Sequence, residues 1–225
     1  MNGSPVRSGR MVVFDMDNTL LQDRFIDVCA ERFKFTQALV LIRQIDKDPV
    51  SITKRIAYFL KGLSKKELVE TLESIPLIED SLSVIEELRR RSNIIGIISD
   101  SYQIITQVIA EKVNADFYLA NELQIELGTV TGQILIPSYF HYSEESTCKH
   151  QVCKTNALRF ITKKYGVKME DCVYVGDSAN DICAVQHAGL GVSFCTKDET
   201  LKGVANRSIE KKAFGELLQF IEKTN

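Results

Sequence analysis

Two carboxylates one residue apart, Asp15 and Asp17, follow directly on the apolar run Met11-Val12-Val13-Phe14. Four apolar residues that end sharply in Asp read as a short strand buried on both faces. In an open parallel sheet, ligands bind just beyond the carboxyl ends of the strands, which would put both acids where a substrate sits. If the backbone stays extended through Asp15, the two side chains start on one face and can address a single ligand. By itself such an Asp-x-Asp also suits a turn with surface carboxylates, so the rest of the chain has to decide.

Other polar residues fall at comparable places. The apolar stretch Ile94 to Ile98 runs into Ser99-Asp100-Ser101, and a hydroxyl followed by free backbone N–H groups at a helix start makes an anion cradle. Lys154 opens a predicted helix, where a cation is disfavoured unless something anionic lies nearby. Val173-Tyr174-Val175 ends in Gly176-Asp177-Ser178-Ala179-Asn180-Asp181, a glycine-led turn with two more carboxylates that could reach the same point as Asp15 and Asp17. Acids crowded without a cation repel one another and shift towards neutrality. Mg²⁺ typically takes one or two carboxylates together with a phosphate oxygen and waters. Four acids beside one lysine and one serine are therefore the parts for a magnesium-bound phosphoryl group.

The elements that must position these residues can be read from periodicity. Residues 1–10 form a polar tail expected to be mobile. From about 22 to 76 the pattern is helical, with apolar stripes through Phe25, Cys29 and Phe33, then Leu39 and Ile42, then Ile52, Ile56 and Phe59. Ser64-Lys65-Lys66-Glu67 reads as a capping box opening one more helix, which Pro76 stops. Helix and strand then alternate: helix 81–91, strand 94–98, helix 102–113, a strand near 117–119, a hairpin of 124–127 and 129–134 about Gly128, a polar loop 137–153, helix 154–164, strand 172–175, helix 180–188, strand 190–194 and a closing helix 214–221. Repeated units of this kind specify an α/β, Rossmann-like parallel sheet with helices on both faces. The expected organisation is a core of residues 11–21 and 77–225, with a small helical cap of residues 22–76 inserted after the first strand.

Composition narrows the partners. With 225 residues, 28 Lys and Arg against 30 Asp and Glu and a net charge of −2, the chain has no global basic field, which argues against nucleic acid or an anionic membrane as principal partner. No apolar run approaches a membrane span and the first ten residues lack a signal-peptide core, so a cytoplasmic protein is expected. Cys29, Cys172, Cys183 and Cys195 lie in apolar stretches and read as small hydrophobes. Cys148-Lys149-His150-Gln151-Val152-Cys153 matches no common zinc spacing and no second ligand pair of its kind follows, so it reads as a polar lead into the next helix.

Taken in order, Asp15-Met16-Asp17-Asn18-Thr19, Ser99, Lys154 and Gly176-Asp177-Ser178-Ala179-Asn180-Asp181 resemble the four motifs of the haloacid dehalogenase superfamily. The helical insertion after the first motif resembles its phosphoserine phosphatase-like branch. The resemblance implies a magnesium-dependent phosphomonoesterase acting on a small phosphorylated metabolite, with Asp15 as nucleophile and Asp17 as general acid and base. It implies magnesium held by Asp15, the backbone carbonyl of Asp17, Asp177 and Asp181, the last directly or through water. Ser99, the backbone N–H groups beginning at Asp100, and Lys154 would hold the phosphoryl oxygens, and Thr19 and Asn180 would fix the acids from behind. Arg55 falls where the branch places an arginine for the substrate carboxylate. Arg24 replaces a glutamate that receives the amino group, and Asp100 replaces a glycine, so its side chain is expected to turn away from the phosphate. Transfer of the phosphoryl group to another alcohol, and a non-catalytic phosphate-binding module, remain open alternatives.

Overall fold

The computed structural model describes residues 9–223. Of the expected tail, residues 1–8 lie outside this range, whereas Arg10 is already paired: its N–H donates to Asn93 Oδ1 at 2.9 Å and its carbonyl accepts Ile94 N–H.

The sheet begins with β1 (Met11–Phe14), the strand that carries Asp15. It lies between β2 (Ile94–Tyr102) and β5 (Cys172–Gly176), parallel to both. Outside β2 come β3 (Phe117–Glu126) and β4 (Thr129–Leu135); outside β5 come β6 (Leu190–Phe194) and β7 (Arg207–Ile209), giving the order β4-β3-β2-β1-β5-β6-β7. All neighbours are parallel except β3 and β4. The chain leaves β1 towards β2 on one side and later returns to β5 on the other. That reversal opens a crevice at the carboxyl ends of β1 and β5, where ligands bind in open α/β sheets.

Alternation along the central strands decides which side chains face which helices. Val12 and Phe14, Ile95 and Ile97, and Val173 and Val175 enter one apolar core with α5 (Ser81–Arg90), α6 (Gln103–Lys112) and α10 (Gly215–Glu222). Met11 and Val13, and Cys172 and Tyr174, enter the other with α7 (Lys154–Tyr165), α8 (Ile182–His187) and α9 (Glu199–Val204). Helices thus cover both faces, as expected for buried, continuously apolar parallel strands. The same period of two sends Asp15 to the face of Val13 and Tyr174, under the start of α7.

Four helices fill the stretch after β1: α1 (Phe25–Arg32), α2 (Thr36–Ile45), α3 (Pro49–Phe59) and α4 (Lys65–Glu73). Pro49 occupies the first turn of α3 behind Asp48, whose side chain accepts the Val50 and Ser51 N–H groups. Ser64 and Glu67 form the reciprocal capping box at α4. The entering and leaving chains pair across Leu21 and Leu77, with Gln22 N–H bonded to Pro76 O and Ile78 N–H to Leu20 O.

Three parts differ from the sequence reading. The strand near 117–119 and the first arm of the hairpin are one strand, β3, parallel to β2 in its first half and antiparallel to β4 in its second. The hairpin end reaches the helical insertion: Gly62 N–H bonds Val130 O, Val130 N–H bonds Leu63 O and Lys65 N–H bonds Gly128 O. The short α9 and β7 have no counterpart in the sequence reading, because six and three residues are too few to show a period. No helix among the described residues is long and apolar enough to cross a membrane.

Candidate active site

Asp15 ends β1 with its N–H still bonded to Val175 O at 2.9 Å, which keeps the backbone extended for one residue beyond the strand. The chain then turns through an irregular wide helical turn, Met16–Leu20, broken at Asp17 (ψ 130°) and at Asn18 (φ 55°). This turn bends Asp17 back over the sheet end, where its Oδ1 accepts the Phe25 N–H at 2.7 Å and so starts α1. Asn18 takes a left-handed conformation that Asn tolerates better than most residues.

Lys154, the first residue of α7, reaches down to Asp15 Oδ1 at 2.7 Å and Asp181 Oδ1 at 2.8 Å, with all three side chains buried. This is the anionic surrounding that a lysine at a helix start requires. Asp181 is bracketed on both oxygens: Tyr174 Oη donates to Oδ1 at 3.0 Å, while Ser178 Oγ and the N–H groups of Asp177 and Ser178 donate to Oδ2. Gly176 makes room for this bracket, since a Cβ there would lie 2.4 Å from Asp181 Cγ. Tyr174 was not singled out in the sequence, because inside a strand it reads as one more core aromatic.

Asp15, Asp177 and Asp181 each present an oxygen within 4.8 Å of the others, a group whose carboxylates could hold a metal ion. Asp177 Oδ1 is buried without a hydrogen-bond partner among the described residues. Three acids beside one lysine leave an excess of negative charge, which a divalent cation would offset. The Asp17 carboxyl is not part of this group, being committed to Phe25 N–H.

Charge and burial act together on the acids. Burial pushes Asp15 well above the ordinary carboxylate range despite Lys154, and Asp181 and Asp177 add to the rise. Burial likewise pushes Asp17 up to about 7, against the Phe25 N–H, with Asp100 adding to the rise. Asp177 rises to about 6 through burial and the charge of Asp181. Burial alone would favour a neutral amine at Lys154, but Asp15 and Asp181 outweigh it and keep the ammonium charged.

Ser99 is fully buried within β2, directly after its apolar run, and its Oγ accepts the Ser101 N–H at 3.1 Å. The backbone around it is held by Asn121, a residue not anticipated from sequence, whose amide donates to Asp100 O at 2.6 Å. Asp100 itself is exposed on β2. Its carboxylate accepts the Asn180 amide and acts on Asp15, Asp17 and Arg24. Although desolvation opposes it, Lys154 and Arg24 hold Asp100 below the ordinary carboxylate value. Arg24, at the start of α1, belongs to the same cluster: desolvation is outweighed by Asp100, then Asp17, Asp177 and Asp15, which raise its pKa. Thr19 is fully buried with its hydroxyl unpartnered among the described residues. Arg55 is not drawn in. Its side chain, 54% exposed on α3, pairs with Asp46 at 3.3 Å.

Comparison with known proteins accords with this arrangement. The model of the haloacid dehalogenase-like hydrolase family matches residues 12–186, most of the chain. The phosphoserine phosphatase of Methanocaldococcus jannaschii is 29% identical over 221 residues, spanning 95% of this chain and 98% of its own. That of Archaeoglobus fulgidus is 32% identical over 213 residues, spanning 92% of this chain but 58% of its own. A solved structure of a phospho-aspartyl intermediate analogue of phosphoserine phosphatase superposes with a TM-score of 0.79 at 28% identity, covering 94% of this chain and 98% of that one. A chain whose family model and whose relatives in sequence and structure coincide in this way, with its acids gathered at the ends of β1 and β5, belongs to the haloacid dehalogenase-like hydrolases, in their phosphoserine phosphatase-like branch.

Proposed function

We propose that this chain is a magnesium-dependent phosphatase of small anionic phosphate esters, phosphoserine-like in substrate, that works through an aspartyl-phosphate on Asp15. The observation that carries the reading is the buried Asp15 carboxylate at the crevice, clamped by Lys154 at 2.7 Å beside a second acid, Asp17, whose proton is held up to about 7. A nucleophile and a protonatable acid at one strand end are what phosphoryl transfer to a carboxylate and expulsion of an alcohol require. In the first step an Asp15 oxygen bonds to phosphorus as the ester oxygen leaves with the Asp17 proton. In the second, water attacks that phosphorus while Asp17 takes its proton, releasing phosphate and restoring Asp15.

Ser99 Oγ, the backbone N–H groups that follow it and Lys154 would bind the phosphoryl oxygens and offset their developing charge. Asp15, Asp177 and Asp181 would hold the Mg²⁺, Asp181 from its bracketed position and Asp17 through its backbone carbonyl. When bound, the cation neutralises the phosphoryl oxygens and favours the ionised form of Asp15. Thr19 and Asn180 support this site from behind, Asn180 through Asp100. The helices between Phe25 and Glu73 act as a cap that excludes water. Six free cysteines suit a reducing, cytoplasmic setting.

Arg24 and Asp100 carry opposite charges at the same mouth and compensate each other. Each departure by itself counts against phosphoserine, but the pair offers a cation to a substrate carboxylate and an anion to an ammonium, which supports an amino-acid phosphate. Arg55 on α3 would contribute on cap closure. The reading is tested by phosphate release in Mg²⁺ from phosphoserine and from phosphoethanolamine, which lacks the carboxylate. Asp15→Asn should lose at least about 10³-fold in kcat with its fold intact. Arg24→Met should lower kcat/KM about 10- to 100-fold for phosphoserine and far less for phosphoethanolamine. Ordinary turnover by Asp15→Asn would remove Asp15 as nucleophile, and equal losses on both esters would remove Arg24 as the carboxylate's partner.

A further inference from the structure

The described residues contain a second ligand cluster, away from the acids. Cys148, His150, Cys153 and Cys183 each present a ligand atom within 4.8 Å of all the others. Cys183 Sγ lies 3.3 Å from His150 Nδ1 and faces the thiols of both Cys148 and Cys153. Cys183 was read above as a small hydrophobe of α8. Instead it is part-exposed and turns towards the loop before α7. It is the fourth ligand that the sequence did not show, thirty residues beyond Cys153.

From this geometry we propose that Cys148, His150, Cys153 and Cys183 form a structural zinc site. Three thiolates and one imidazole are a complete tetrahedral set for Zn²⁺, with no position left for substrate. Ligands about 2.3 Å from a tetrahedral centre stand ~3.8 Å from one another, so the atoms need only a small inward adjustment. Soft sulfur donors select zinc over Mg²⁺, the hard cation proposed for the carboxylates. The loop that supplies three of the ligands is already turned back on itself: Tyr142 N–H bonds Gln151 O and Cys153 N–H bonds Phe140 O, both at 2.9 Å.

The location gives the site a purpose. Cys153 immediately precedes Lys154, and Cys183 follows Asp181 by two residues. A metal bridging them ties the start of α7 to the start of α8, the two elements whose Lys154 and Asp181 side chains meet at 2.8 Å. Zinc would therefore hold the frame behind the acids without touching the substrate.

The test is metal binding by the full chain, purified under reducing conditions and titrated with Zn²⁺ or with Co²⁺ as a spectroscopic probe. One equivalent of Co²⁺ should give the intense visible bands of a tetrahedral ion and the near-ultraviolet thiolate charge-transfer band, with Zn²⁺ displacing it. Cys183→Ser, which leaves two thiolates, should lower the intensity of the charge-transfer band by about a third or more and weaken metal binding. His150→Ala, at an exposed position that leaves the core intact, should weaken Zn²⁺ binding by more than the roughly 10- to 100-fold that losing a supporting partner costs. Asp177→Asn, in the carboxylate group, should leave the thiolate bands unchanged. Absence of a charge-transfer band, an undiminished band in Cys183→Ser together with unchanged affinity in His150→Ala, or a disulfide among Cys148, Cys153 and Cys183 in the reduced chain's place would overturn the proposal.

Discussion

Asp17 is asked to keep a proton near neutral pH, and burial that raises its pKa to about 7 must destabilise the fold whenever it is ionised. The sign follows from linkage. A carboxyl whose folded pKa exceeds its unfolded value contributes stability that is full below the unfolded value and lost as pH climbs to the folded one. Here the window runs from the ordinary 3.8 to about 7. A rise of roughly three units at about 1.4 kcal/mol each gives a loss of ~4 kcal/mol, most of it within that window. Asp17→Asn removes the ionisation but keeps a side-chain oxygen to accept the Phe25 N–H that starts α1. The variant should therefore match the wild type near pH 4 and exceed it increasingly up to about pH 7, with a constant gap of up to ~4 kcal/mol beyond. Urea unfolding of both proteins at several pH values without added divalent cation would measure the gap, the other acids being common to both. The same variant should lose more turnover on alkyl phosphates, whose leaving alcohol needs a proton, than on nitrophenyl phosphate. A stability gap that does not change with pH would refute the assignment of a raised pKa to Asp17.

Lys154→Met should unfold at lower urea than the wild type by about 3–5 kcal/mol at pH 8, because Asp15 and Asp181 lose their buried cation. The deficit should shrink as pH falls and Asp15, whose pKa burial raises, takes up a proton, and equal stability at pH 8 would contradict the clamp. Gly176→Ala drives a methyl to within 2.4 Å of Asp181 Cγ and should cost about 1–3 kcal/mol together with most of the activity. An unchanged melting temperature there would show that the acidic turn has slack.

Much of the frame was legible in the sequence because it depends on local pattern. β1, β5 and β6 are buried on both faces and therefore read as unbroken apolar runs, and the box of Ser64 and Glu67 announced α4. β3 was divided in two by sequence because its halves serve different neighbours. The half beside β2 is buried, whereas the half beside β4 alternates with solvent, so its pattern changes without the strand ending. The reversal of strand order at β1, which forms the crevice, is a matter of non-local pairing and has no signature in any window of residues.

The site divides in the same way. Asp15, Ser99 and Asp177 could be picked out as candidates from sequence, since each is a polar residue that follows an apolar run where a ligand would sit, and Lys154 could be picked out as a cation at a helix start. Which groups support them was decided by the fold: Tyr174 beneath Asp181, Asn121 behind Asp100, Asp100 facing Arg24, and Arg55 held out by Asp46. The cysteines show the limit most plainly. Spacing exposes ligands that share a loop, as Cys148, His150 and Cys153 do, but Cys183 joins them only because α7 and α8 pack side by side. The sequence by itself determined the chemistry available at each strand end. Only the tertiary structure determined which chemistries meet, because proximity across the sheet is set by packing between elements and not by distance along the chain.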